Sequence, residues 1–324
     1  MIQTPQASRA SFFAISMLVL AVCAAVIVAR YGVTGRFKGR IFSKFNVVPA
    51  DITMSVFPGR EPAPFVSSVD VPTLYAFFPP ADLANGAAVL VCPGGGYHSV
   101  GLLTEGQESV RWLTKLGISV FVLKYSVKPH LYPDSTLEGF RAMRILREHA
   151  QEWKLDPHRI GVIGFSAGGH LASTIGTHFD SGNPDSPDPV ERQTCRPDFM
   201  ILAYAVTTMT VTTGQHSREN LIGDPPPENL IRYLSNENFV TSKTPPTFMM
   251  HTERDPSVNV KQSRDFKKAL ENAGVPSELV ILDEATHGAH MQLWISQLTD
   301  WLVRSQIIPV QKEPPLRQPT PNRP

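Results

Sequence analysis

Short, continuous apolar runs alternate along this chain with stretches of helical spacing, and that alternation constrains the fold more than any other feature. The runs are AAVLVC (87–92), ISVFVLKY (118–125), RIGVIGF (159–165), 199–204, TFMMHT (247–252) and 278–282. Runs this short and this apolar predict strands buried on both faces. Amphipathic spacing predicts helices over 105–116, 137–153, 167–178, 260–273 and 291–305. Strands and helices in strict alternation build a mostly parallel sheet with helices on both faces, the α/β class. Ligands in such sheets sit at the carboxyl ends of the strands. Chemistry is therefore expected just after Cys92, Phe165, Thr252 and Leu282.

Composition narrows the classes. Hydrophobic residues make up 42% of the 324 and charged residues 18%, with a net charge of +1. That excludes a disordered chain, and it argues against nucleic-acid binding through bulk positive charge. Three cysteines make no disulfide framework, and no cysteine–histidine spacing suits zinc. Neither a metal nor a cofactor is expected.

The ends differ from the middle. Residues 11–29 are an apolar run without a charge, preceded by Arg9 and followed by Arg30, Arg36, Lys38, Arg40 and Lys44. A run of this length can span a bilayer as a helix, and it exceeds the usual apolar core of a signal peptide. The expectation is a membrane contact through 11–29, as an uncleaved anchor or an export signal. The basic residues after the run favour a cytoplasmic C-terminal side, whereas an exported domain needs the opposite. Residues 311–324 hold five prolines and predict an extended, unpacked tail. The expected organisation is an N-terminal hydrophobic segment and linker (1–40), one domain (41–308) and the tail (309–324).

The four strand ends carry a coherent set of groups. Gly164-Phe165-Ser166-Ala167-Gly168 lies between a predicted strand and a predicted helix. Glycines on both sides permit a turn tight enough to lift the Ser166 hydroxyl above the sheet. The alternative for Ser166 is a merely structural tight turn. A serine hydroxyl is a weak nucleophile at neutral pH and needs a base, which itself needs an orienting carboxylate. The chain order serine, acid, histidine is met by Ser166, Asp255 and His287. Glu253 is a rival acid but stands too close to the strand end; Asp283 is another but stands too close to the histidine. His290 is the rival base, at the start of a predicted helix. His170 is expected to pack behind the serine turn, and the other histidines to be ordinary surface or core residues.

Attack on a carbonyl creates an oxyanion that backbone N–H groups can stabilise. Pro93-Gly94-Gly95-Gly96-Tyr97 follows the first strand, and side-chain-free residues let backbone approach a substrate closely. Gly95, Gly96 and the N–H of Ala167 are the expected donors. A phosphate-binding loop is the alternative, but no Gly-Lys-Ser/Thr or Gly-x-Gly-x-x-Gly pattern completes it. The irregular stretches 180–197 and 207–244, which lack strand or helix spacing, are expected to wall acyl and sugar pockets.

These residues also carry a family resemblance. Pro93 to Tyr97, Leu123-Lys124-Tyr125, Gly164 to His170, Ser217 to Gly223, Pro245 to Phe248 and His251-Thr252 resemble the bacterial feruloyl/acetyl-xylan esterase-like (BD-FAE-like) branch of the α/β-hydrolases. The resemblance runs from about Thr73 to Val303. It implies an eight-stranded, mostly parallel α/β-hydrolase sheet and metal-free serine ester hydrolysis by Ser166, His287 and Asp255. The implied substrate is a small-molecule or polysaccharide ester, such as a short acyl group on a carbohydrate. A lipid or small-molecule esterase, a peptidase, or a non-catalytic interaction module are the alternatives on the same fold. The chain departs from its relatives at Glu253-Arg254-Asp255-Pro256, at Ala285-Thr286-His287, at Ser126 and at Ala205. Arg254 is expected to stand beside Asp255 and hold it ionised.

Overall fold

The structure, a computed structural model, describes residues 47–65, 71–210, 215–284 and 286–310. The apolar run at 11–29 and the proline-rich residues 311–324 lie outside the described residues. Among the described residues no helix is long and apolar enough to cross a membrane.

Eight strands form one sheet: β1 (Ile52–Ser55), β2 (Thr73–Phe77), β3 (Ala88–Cys92), β4 (Ser119–Lys124), β5 (Ile160–Phe165), β6 (Met200–Ala203), β7 (Thr247–Thr252) and β8 (Ser277–Leu282). Their order across the sheet is β1-β2-β4-β3-β5-β6-β7-β8. β1 and β2 are antiparallel to their neighbours, and all other pairs are parallel. The helices are α1 (Gln107–Leu113), α2 (Asp134–Glu148), α3 (Ser166–Thr177), α4 (Gln215–Ile222), α5 (Glu228–Tyr233), α6 (Lys261–Asn272) and α7 (Ile295–Arg304).

Continuous apolar runs were required because the parallel strands are covered on both sides. Leu90 and Val162 face one core with Met143 and Leu146 of α2, Leu171 and Ile175 of α3, and Phe266 and Leu270 of α6. Their neighbours Val89, Val91 and Ile163 face the other core with Val110 and Leu113 of α1 and Leu298, Trp301 and Leu302 of α7. This is the alternation of side chains along a strand, with both faces apolar.

Two irregular stretches differ from expectation. Within 207–244 the chain forms α4, α5 and a short helical turn at Asn236–Phe239. Residues 180–197 follow the far end of α3, whose 12 residues run for about 18 Å from Ser166. Arginines of α2 hold them there: Arg141 pairs with Asp188 and Glu191, and Arg144 with Asp180. The stretch packs the flank of α2 instead of walling a pocket over the serine.

One buried acid gives this fold a measurable pH dependence. Glu138 of α2 is 3% exposed, and its two oxygens accept from the N–H and the hydroxyl of Ser126, each at 2.6 Å. Burial raises its pKa from 4.5 to about 7, which the Ser126 hydrogen bonds offset only in part. A raised acid binds more protons folded than unfolded, so its contribution is fully present below pH 4.5 and is lost as pH rises through about 7. The loss is on the order of 3 kcal/mol. Chemical denaturation across pH 4–8 checks this: Glu138→Gln removes that downward slope, and its stability relative to wild type increases with pH.

Candidate active site

The serine turn is built by a conformation that only its flanking glycines accommodate. Ser166 has φ 51°, a left-handed value that is strained for a residue with a side chain. A Cβ on Gly164 would stand 2.2 Å from the Gly168 carbonyl oxygen. One on Gly168 would stand 2.1 Å from the Cys92 carbonyl oxygen and 2.3 Å from that of Pro93. Backbone cannot withdraw from these contacts. Gly168→Ala is expected to cost about 3 kcal/mol or more in chemical denaturation. Gly96→Ala, with φ +64° but nothing within 4 Å of the added carbon, should cost only about 1–2 kcal/mol.

Three distant side chains meet at this turn. His287 Nε2 lies 2.9 Å from Ser166 Oγ, and His287 Nδ1 lies 2.8 Å from Asp255 Oδ2. Asp255 accepts only, so Nδ1 carries the proton and Nε2 is left to accept from the serine hydroxyl. The Asp255 side chain has no exposed surface, whereas His287 keeps 24% of its own. Burial pushes the Asp255 carboxyl upward, but donors outweigh it: His251, His287 and the N–H groups of Val258 and Ser257 hold it well below the ordinary carboxylate range.

Arg254 is not among those donors. Its guanidinium pairs with Asp283 at 2.6 Å, because the turn after β7 directs it outward. The rival acids are thereby occupied elsewhere: Asp283 by Arg254, and Glu253 by Arg264 at 2.7 Å. His290 is 83% exposed and lies 3.4 Å from Glu108.

The loop bearing His287 is tied at both ends. Thr252 Oγ1 donates to the Thr286 carbonyl at 2.6 Å, and the Met291 N–H donates to Glu108 Oε1 at 2.9 Å. Beneath the imidazole lies Tyr204, whose ring meets it edge-on at 5.1 Å. Tyr204 takes φ 38° at the end of β6.

The glycine loop is arranged as a donor surface. The Gly94 carbonyl accepts from Gly101, and the Gly95 carbonyl from His98 and Ser99. Among the described residues, no backbone hydrogen bond engages the N–H of Gly95 or Gly96. The Ala167 N–H lies in the first turn of α3, where helix N–H groups have no partner within the helix. The loop stands against the serine: a Cβ on Gly94 would lie 3.2 Å from Ser166 Cβ.

Three clamps fix the loop. Tyr125 donates to the Pro93 carbonyl at 2.6 Å, and Asn220 of α4 donates to the Gly96 carbonyl at 2.8 Å. The third is His170, buried behind the turn as expected, with Nε2 at 2.8 Å from the Leu234 carbonyl and Nδ1 at 2.9 Å from the Tyr97 hydroxyl. Burial lowers its pKa to about 4, despite the Leu234 hydrogen bond. It is therefore neutral at physiological pH, donating to Leu234 and accepting from Tyr97. Asn220, Tyr204 and His251 carry no sequence pattern that announces these contacts; Asn220 and His251 belonged to motifs singled out by resemblance, which assigned neither a contact.

The fold has known counterparts. Residues 74–270 match the BD-FAE family. An endo-1,4-β-xylanase B of Butyrivibrio fibrisolvens is 32% identical over 67% of this chain and 34% of its own length. An acetylxylan esterase of Xylanibacter ruminicola is 34% identical over 72% of this chain and 48% of its own. The chain thus spans about half, or less, of the length of these curated relatives. Among solved structures, an acetyl ester-xyloside bifunctional hydrolase from Caldicellulosiruptor lactoaceticus is 37% identical, with a TM-score of 0.73 over 81% of this chain and 98% of its own. With the match covering most of the folded residues and the eight-stranded sheet in place, this chain belongs to the BD-FAE family.

Proposed function

We propose that this protein is a serine carboxylic-ester hydrolase that removes short acyl groups from carbohydrate. The observation that carries the reading is the unbroken hydrogen-bonded line from Ser166 through His287 to Asp255. Ser166 Oγ attacks the ester carbonyl while His287 Nε2 takes its proton, and Asp255 stabilises the resulting imidazolium. The N–H groups of Gly95, Gly96 and Ala167 receive the oxyanion. His287 then gives its proton to the departing alcohol. Water, activated by the same imidazole, releases the acid from the acyl-serine.

The carbohydrate part of the reading is supported by the relatives, two of which carry xylan in their names. Turnover of acetylated xylan and of p-nitrophenyl acetate, butyrate and octanoate is the test. Release of acetate from xylan, with acetate preferred to octanoate, is expected. Untouched xylan with fastest cleavage of octanoate would instead favour a lipid or small-molecule esterase.

The charge-free run at 11–29 supports attachment to a bilayer or export. Carbonate-resistant sedimentation of the full chain, and its loss in a chain starting at residue 41, would establish the anchor; processing to a shorter soluble form would establish export.

A further inference from the structure

The acid of the triad is gripped from behind by a second histidine. His251, the fifth residue of β7, is buried, and its Nε2 lies 2.9 Å from the Val258 carbonyl oxygen and 3.4 Å from Asp255 Oδ2. Its Nδ1 lies 2.7 Å from Ser263 Oγ on α6. The Val258 carbonyl can only accept, so Nε2 must carry a proton. That N–H is donated to the carbonyl, and the carboxylate oxygen lies 3.4 Å from the same nitrogen. In a neutral ring, Nδ1 then accepts from the Ser263 hydroxyl. The opposite tautomer would set three lone-pair-bearing atoms against one another where no water reaches.

The carboxylate of Asp255 is fully occupied in consequence. Oδ1 accepts the N–H groups of Ser257 at 2.8 Å and Val258 at 2.9 Å. Oδ2 lies between His287 Nδ1 and His251 Nε2. The Oδ1 contacts act as a pivot close to the main chain, and rotation about that pivot moves Oδ2. On one side Oδ2 meets His287, which is partly exposed and sits on a loop. On the other it meets His251, which is fixed in the sheet and bonded to a helix.

We propose that His251 is a positioning residue for Asp255, held by Ser263 in the tautomer that presents Nε2–H to the carboxylate. The line through the site then runs Ser263, His251, Asp255, His287, Ser166. His251 sets the torsion of the acid, and the acid sets the plane of the imidazole that faces the serine. This inference rests on the hydrolase reading above.

Two measurements on the full chain test it. Nitrogen-15 NMR of the histidine rings in the wild type is expected to show the His251 proton on Nε2, with Nδ1 accepting from Ser263. A proton on Nδ1 alone, or on both nitrogens, overturns the proposal without any mutation. The second measurement is kcat for p-nitrophenyl acetate per site titrated with a fluorophosphonate. In His251→Leu this per-site kcat should fall about 30-fold with KM within about twofold, the size expected of a misplaced catalytic group. His251→Gln can donate from the same place and should recover to within about fivefold of wild type. Fewer titratable sites with unchanged kcat per site would mean that His251 only supports folding, and would overturn the proposal. So would equal losses in the leucine and glutamine variants. If the wild type neither turns over esters nor takes the phosphonate, the hydrolase reading fails, and the tautomer measurement still decides the placement of His251.

Discussion

Ser166→Ala is expected to lower kcat for p-nitrophenyl acetate by about 10⁶-fold, the order found when a triad nucleophile is removed. KM changes little, because the substrate still meets the same walls and the same backbone donors. His287→Ala causes a loss of the same order. The double variant is expected to be no worse than either single one, since the serine and the imidazole act as one unit and either deletion disables it. A residual rate is expected from the proposed donors that remain, the N–H groups of Gly95, Gly96 and Ala167, acting on attack by a water molecule. Steady-state kinetics on the purified single and double variants, with folding checked by thermal melting, measure all of this.

The second large effect comes from Asp255→Asn, which is expected to cost about 10⁴-fold in kcat with little change in geometry. The carboxylate accepts from His287 Nδ1 at 2.8 Å, which leaves Nε2 free to accept the serine proton. An asparagine that presents its amide N–H₂ there favours the reversed tautomer, with the proton on Nε2 pointing at a hydroxyl that must lose its own. The wild-type pH profile has a matching sign. Asp255 is held well below the ordinary carboxylate range, so it stays ionised as pH falls through 4 and beyond. Its contribution to stability is present above the ordinary carboxylate pKa and is lost only as pH falls through its depressed folded value. Acid loss of rate at mildly acidic pH is therefore not expected to come from protonation of Asp255. Asp255→Asn should destabilise the fold at neutral pH relative to wild type, and that difference should narrow only in strong acid.

The groups that meet at the serine turn were legible in the sequence because their constraints are local. Ser166 needs small neighbours at 164 and 168, and the clashes that any side chain would meet there explain why glycine is obligatory. Five of the six parallel strands, β3 to β7, were legible for a similar reason: burial on two faces favours nearly unbroken apolar runs, whereas β8 is only half-buried. β1 and β2 were not read from the pattern. β1 is four residues long and only half buried, and β2 is buried but short; both take their place by antiparallel pairing with distant partners. Resemblance alone supplied the count of eight. The contacts of Asp255 were legible in part. His287 follows the expected chain order, but His251 looked like one more strand residue, since only the turn through Pro256 and Val258 brings its ring back to the acid. Arg254 shows the converse error. Adjacency in sequence suggested an ion pair, and the turn sent the guanidinium to Asp283. The stretch at 180–197 was recognisable as irregular, but its place beside α2 depends on arginines whose partners lie far along the chain.

Peptide mapping by mass spectrometry after treatment with a fluorophosphonate tests the central claim most directly. A single adduct on Ser166, formed in the wild type and absent from folded His287→Ala, is the predicted result. A folded wild type that carries its adduct on another residue, or one whose Ser166 is labelled equally well without the imidazole, would contradict the account.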